Sequence, residues 1–344
     1  MEVAAAVVRW LRCLCRCLTV LASWMLIAIP VTAGIPLLIV MYITVKPLAP
    51  TVWAQLTTAL SGWYYFFWVI DMELLAGTKV VFTGDTLPFN ESVLVISNHC
   101  STMDPFYMFT IAARRFRIGN VKFFAKKVIQ SYFPFGPAMA LVDCIFIDRD
   151  WTSDRTKINE AFESAYNHPT VRVPIWMMSF LEGRRMSEAN KKQSDQYAAE
   201  HGMPMLHKTL YPRTKGLWAI ISGAGPLLDA VYDVTLKFPK GAPSVIEFFA
   251  GGPKAEVHMH VRRIPIADIP AGSIDELKPW LYALWKSKDD LLMAFEQDGR
   301  FPGPVVEEPL SVCRHWTGCV LHGLLDERRF KDRSVRKDVA APAS

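Results

Sequence analysis

The feature that most constrains this chain is a lack of charge. No Asp, Glu, Lys or Arg occurs from Cys17 to Val45, and none from Pro47 to Ile70. The first run is longer than the ~20 apolar residues that cross a hydrocarbon core and outlasts the ~7–15-residue apolar part of a secretory signal. It reads as a retained membrane segment, in which Pro30, Gly34 and Pro36 put a bent or re-entrant helix on a par with a straight span. The second run ends in Trp63, Tyr64, Tyr65 and Trp68, rings suited to the headgroup layer. Few residues separate the two, so residues 1–72 are expected to form a membrane-embedded helical hairpin. Arg9, Arg12 and Arg16 before the first run leave the N-terminus cytosolic, and with it everything after Asp71 if both runs cross or both dip in.

The seven cysteines fit a cytosolic setting. Cys13, Cys15 and Cys17 sit at the membrane edge, where packing or reversible acylation would use them, and the rest lack metal-type spacing. Beyond residue 71 the composition turns globular. Short apolar runs recur: KVVFTG, SVLVISN, VKFFAK, CIFID, VPIWMMSF, VYDVTLKF, SVIEFFAG and EVHMHVRRIP. Several are unbroken, as strands buried on both faces are. Helical patterns, DPFYMFTIAARRF and SDRTKINEAFESAYNH among them, lie between. The alternation predicts a mixed α/β domain over residues 73–310, with an amphipathic helical pair across 271–300. Residues 311–344 read as a solvated tail.

One strand-like run stops on chemistry: VISNHCSTMDPF. On a continuous helix His99 and Asp104 would point apart. Asp104-Pro105, however, reads as an N-cap followed by proline at the first helical position. His99 then lies in a strand-to-helix loop that can fold it onto the carboxylate. Asp104 would hold one imidazole nitrogen and leave the other free to take a proton. Ser101 is the nearby hydroxyl, and no G-x-S-x-G elbow occurs, so the hydroxyl to be activated belongs to the substrate.

Three further stretches accompany it: FIDRD with Arg149, FLEGRR with Glu182, Gly183, Arg184 and Arg185, and YPRTKG with Pro212 and Arg213. With NHCSTMD these resemble, in order and spacing, the four motifs of glycerophospholipid acyltransferases, the lysophosphatidate acyltransferase family. RDWTSD, PRTKG and VYDVT look most like the eukaryotic branch that includes lysocardiolipin acyltransferase-like members. The resemblance covers about residues 75–300 and implies a glycerol-3-phosphate-acyltransferase-like mixed α/β fold.

It also implies an acyl-CoA-dependent transfer to a free hydroxyl of a lysophospholipid, foremost 1-acyl-sn-glycerol-3-phosphate giving phosphatidic acid. Lysocardiolipin or another lysolipid is the alternative acceptor, and a weakly active interaction protein the alternative class. His99 and Asp104 would be catalytic. Asn98, Ser101, Arg149, Glu182, Gly183, Arg184, Arg185, Pro212 and Arg213 would bind substrate, the arginines through the acceptor phosphate. Where the family pattern has a small hydroxyl residue this chain has Arg184, which points to altered acceptor preference or lost activity. Acyl-CoA is a substrate, and no cofactor or metal is implied. The expected setting is a bilayer of the endoplasmic reticulum, or a mitochondrial one, with the catalytic domain facing the cytosol.

Between Asp104 and Asp143 lie Arg114, Arg115, Arg117, Lys122, Lys126 and Lys127 without one acidic residue. They read as a solvated face or as a basic surface for anionic lipid or the CoA phosphates. Nucleic acid is not expected, since no recognition module accompanies the charge. His258 and His260 share a strand face without a third ligand. Asn90-Glu91-Ser92 is a formal N-glycosylation triplet, expected to stay unmodified on the cytosolic side.

Overall fold

The computed structural model describes residues 2–133, 135–147, 174–249, 254–306 and 310. Eight strands form one mixed sheet: β1 Lys79–Gly84, β2 Val93–Ser97, β3 Val121–Lys126, β4 Ile145–Ile147, β5 Trp176–Ser179, β6 Ala230–Lys237, β7 Glu256–Pro265 and β8 Val305–Val306. Their spatial order is β4-β3-β5-β2-β6-β7-β1-β8. From β4 to β6 all neighbours run parallel, while β7 meets β6 antiparallel and β8 closes the far edge antiparallel to β1. All five residues of β2, at the centre, are buried. That matches its unbroken Val-Leu-Val-Ile run, since a central parallel strand is covered on both faces.

The alternation of side chains then builds two cores. Val93 and Val95 face one, with Tyr232 and Val234 of β6. Leu94 and Ile96 face the other, with Met177 of β5 and Val231. The helices are α1 Glu2–Leu48, α2 Pro50–Ile70, α3 Asp104–Arg114, α4 Phe135–Leu141, α5 Glu188–Glu200, α6 Thr214–Ala224, α7 Val245–Phe249 and α8 Ile274–Asp298. α2 and α3 cover the first face, and α6 and α8 the second.

The N-terminal segment bears on an alternative the sequence left open and departs from the expectation at two points. α1 passes through Pro30, Gly34 and Pro36 as one unbroken helix. α2 follows after Ala49 alone, and Tyr42 and Trp53 meet edge to face across the joint at 5.7 Å. Among the described residues no helix is long and apolar enough to cross a membrane. Finally, the aromatic end of α2 is not a headgroup belt. Tyr65 stacks on Phe109 and Trp68 on Phe106, both buried in the first core, and of the four rings Trp63 is the exposed one. α2 thus belongs to the same core as the sheet. Its backbone packs so tightly on the turn at Ile118–Asn120 that a Cβ on Gly119 would lie 2.2 Å from the Thr58 carbonyl oxygen.

SVIEFFAG, expected as a strand, begins instead as the short helix α7. Ser244 and Glu247 close a reciprocal cap: the Ser244 N–H donates to Glu247 Oε2 at 2.8 Å and the Glu247 N–H to Ser244 Oγ at 3.1 Å. The helical pair across 271–300 is one helix, α8, with Pro279 inside it. Its buried residues, Leu277, Leu281, Trp285, Leu292 and Phe295 among them, form one stripe, and the helix runs on past the proline. The basic run also changes character. Arg115, Arg117 and Lys122 are buried, and Arg114 forks onto Glu73 with two 2.8 Å bonds, so Lys126 and Lys127 are what it exposes. The helical pattern over residues 153–168 and the tail from 311 lie outside the described residues.

Candidate active site

The parallel strands β3, β5, β2 and β6 end on one edge of the sheet, the edge where open α/β sheets place their sites. His99 follows β2 there. Its Nδ1 lies 2.8 Å from Asp104 Oδ2, and its ring stacks on Phe180, beyond the end of β5, at 4.3 Å. The same Asp104 oxygen accepts from the N–H groups of Cys100 at 2.7 Å and Ser101 at 2.8 Å. Helix α3 begins at Asp104 itself, with Met103 as its N-cap. The carboxylate therefore does not cap the helix, as the sequence suggested. It turns back to bind the loop and the imidazole, fully buried. With Nδ1 engaged, Nε2 is the nitrogen left for chemistry.

Asn98 and Ser101 line the pockets here and also hold the scaffold. Asn98 Nδ2 donates to the Leu236 carbonyl at 2.9 Å and its Oδ1 accepts from the Leu236 N–H at 2.8 Å, splicing β2 to β6 beside His99. Ser101 Oγ accepts from the Met103 N–H at 3.1 Å. Glu182 is also buried, and it lines a pocket at His99. It accepts from the Trp285 indole at 3.3 Å and from the backbone N–H groups of His99 and Leu210. Burial outweighs these bonds and the Lys288 charge, and pushes its carboxyl up to about 8. Gly183 holds φ +68, a left-handed turn rather than a close backbone approach.

After that turn the arginines diverge. Arg185 Nη1 donates to Thr102 Oγ1 at 2.9 Å and lines a pocket of about 400 Å3 with Ser101, Lys237 and Ser244. Arg184 turns onto α5, bonded to Gln193 and Asn190, so the residue that departs from the family pattern lies off the pocket wall. The Met186 N–H donates to the His99 carbonyl at 2.7 Å, locking this turn to the catalytic loop. Pro212 is buried. Arg213 is exposed, with its N–H on the Leu181 carbonyl at 2.7 Å and its stem against Gly183. Arg149 lies outside the described residues. A second pocket, of about 210 Å3, opens on His99 itself, between Met186, His207, Lys208, Lys237 and Leu292. His258 and His260 stand apart, bonded to Glu256 at 3.2 Å and Thr83 at 3.1 Å.

Three residues of α8 were missed from the sequence. Trp285 bonds Glu182. Lys288, fully buried, reaches the Val234 carbonyl at 2.6 Å and Asp233 at 2.7 Å. Asp289 accepts from the N–H groups of His207, Lys208 and Thr209 at 2.8, 2.6 and 2.9 Å. One turn of helix thereby ties three segments that surround His99. A signal was present: Lys288 and Asp289 fall on the apolar stripe that Leu281, Trp285 and Leu292 define, where charges must be paired.

The geometry is that of an imidazole held by a buried carboxylate at a sheet edge, and comparison with known proteins gives the protein's class. Residues 79–238 match the profile of the family described as acyltransferase, and residues 247–318 that of the acyltransferase C-terminus. The chain belongs to the acyltransferase family. It is 34% identical to a probable 1-acyl-sn-glycerol-3-phosphate acyltransferase 5 of Arabidopsis thaliana, over 75% of this chain and 68% of that one. It is 30% identical to lysocardiolipin acyltransferase 1 of Danio rerio, over 75% and 67%. A crystal structure of the 1-acyl-sn-glycerophosphate acyltransferase PlsC from Thermotoga maritima aligns at TM-score 0.45 and 13% identity, over 77% of this chain and 95% of that one.

Proposed function

We propose that this acyltransferase moves an acyl chain from acyl-CoA to the free hydroxyl of a lysophospholipid, foremost 1-acyl-sn-glycerol-3-phosphate, giving phosphatidic acid. The observation that carries the reading is the 2.8 Å contact between His99 Nδ1 and the buried Asp104, which frees Nε2 above a pocket. His99 Nε2 takes the hydroxyl proton as the oxygen attacks the thioester carbonyl. The C–S bond then breaks, and the departing CoA thiolate recovers that proton from the imidazolium. Asp104 stabilises the imidazolium, and a base so placed accelerates the step by about 10²–10⁴. Arg185, on the wall of the adjoining pocket, offers a planar fork for the acceptor phosphate, and Arg149 is assigned to the same phosphate on the resemblance alone.

The bilayer is part of the reading. α1 exposes Leu18, Leu21, Trp24, Met25, Leu37 and Ile43, an apolar surface that water does not favour and acyl chains do. The reading sets the enzyme on a membrane of the endoplasmic reticulum, cytosol-facing, with a mitochondrial membrane as the alternative. Asn90 stays unglycosylated in this topology, and its Oδ1 is already engaged by Arg117 at 3.0 Å. The test is purified enzyme with one labelled acyl-CoA and a panel of lysolipid acceptors. Turnover highest on lysophosphatidate carries the reading. Turnover highest on lysocardiolipin moves the acceptor, and no turnover on any acceptor overturns it.

A further inference from the structure

We propose that Lys208 and Lys237 form an anion subsite beside His99, built for a phosphate group of a substrate, which Glu296 fills as an internal ligand until that phosphate displaces it. The proposal rests on the reading that the substrates carry phosphate. Both lysines line the His99 pocket. Their backbones are held from different sides. Lys237 ends β6, next to the Leu236 that Asn98 clasps, and the Lys208 N–H donates to Asp289 at 2.6 Å. From these two anchors both ammonium groups converge on one carboxylate, Lys208 at 2.6 Å and Lys237 at 2.9 Å from Glu296.

Glu296 is poorly placed for any other purpose. It sits in the last turn of α8, at the negative end of the helix dipole, where a carboxylate is disfavoured. Its side chain is 41% exposed, so water competes for it and the ion pairs hold it weakly. Two lysines meet this one carboxylate on the pocket rim, with Glu182 lining the same pocket and Glu247 the adjoining one. A phosphate brings more charge and more acceptor oxygens to the same two ammonium groups, whose three donors each rotate to meet them. Lys237 faces the Arg185 pocket as well, so an anion here lies between the proposed base and the proposed acceptor site.

The test is calorimetric binding of two phosphate probes to the full chain in detergent. sn-Glycerol 3-phosphate stands for the lipid headgroup and adenosine 3′,5′-bisphosphate for the CoA head. Lys208→Met and Lys237→Met should each weaken at least one probe by about tenfold, the scale of one charge-assisted contact. Glu296→Gln should tighten the same probe several-fold, a gain that misfolding cannot imitate. The probe that responds identifies the source of the phosphate. A merely structural clasp predicts the opposite sign for Glu296→Gln, so a loss or no change there overturns the proposal, as does wild-type binding in both lysine variants. Binding is read without turnover and repeats in a His99→Ala background, so failure of the base assignment would leave this result standing.

Discussion

At the residue scale, His99 and Asp104 do separable things. Removing the imidazole takes away the proposed proton acceptor and leaves Asp104 bonded to the Cys100 and Ser101 amides, so the loop keeps its shape. His99→Ala is expected to lose about 10²–10⁴ in kcat with an unchanged unfolding midpoint. Asp104→Asn keeps an acceptor for the loop but not the charge facing the imidazole, and should retain weak activity. Near-normal turnover by His99→Ala would remove it from the mechanism. Arg184→Thr is expected to leave activity intact, because this side chain bonds α5 and lies off the pocket wall. A dead variant would give Arg184 a task of its own.

Glu182 supplies a pH prediction whose sign follows from burial. Its carboxyl rises from 4.5 to about 8 on folding. Below about 4.5 it is protonated in both the folded and the unfolded chain. Between these values the unfolded chain has released the proton and the folded one still holds it, so stability falls as pH rises and levels off above 8. Glu182→Gln cannot ionise and should flatten this part of the stability profile. Chemical-denaturation midpoints of the two proteins from pH 4 to 9 check it, and equal slopes would mean that Glu182 stays ionised in its three N–H bonds.

At the scale of elements, the strands were legible wherever hydrophobic run and turn punctuation agreed. KVVFTG, VKFFAK and EVHMHVRRIP became β1, β3 and β7 residue for residue. The sequence misled where one pattern serves two environments. The aromatic end of α2 reads alike against lipid and against a sheet, and only packing on α3 separates the two. SVIEFFAG reads as a strand by composition, but the cap between Ser244 and Glu247 decides for a helix. The His99–Asp104 pair was legible because the loop residue and the first residue of α3 lie only five positions apart. The anchors on α8 were not, because Glu182, Asp233 and the loop at His207 are remote in sequence from Trp285, Lys288 and Asp289. They give an element-scale prediction. Asp289→Ala strands three N–H groups at the pocket wall and should cost on the order of 3 kcal/mol, with a raised KM. Asp289→Asn, which still accepts, should recover much of both. Equal KM in all three proteins would confine Asp289 to stability.

At the scale of the whole molecule, the question is what the N-terminal helices are for, and the packing divides them. α1 turns Leu18, Leu21, Trp24 and Met25 outward, whereas α2 buries Trp53, Tyr65, Phe66, Trp68 and Val69. Each of these side chains carries about 1.5–3 kcal/mol of burial, a sum comparable with the whole stability of an ordinary domain, about 5–15 kcal/mol. A boundary at residue 72, natural from the charge pattern, would therefore cut the core open. A chain starting at Ala49 is expected to fold with a cooperative transition and to release from anionic vesicles. A chain starting at Met72 should aggregate or stay molten, because the face of α3 carrying Phe106 and Phe109 loses its cover. Circular dichroism, limited proteolysis and vesicle flotation of the two truncations distinguish the roles. A cooperative, unshifted transition in the shorter chain would show that α2 is dispensable to the fold. Unchanged flotation of the longer one would show that α1 makes no membrane contact of its own.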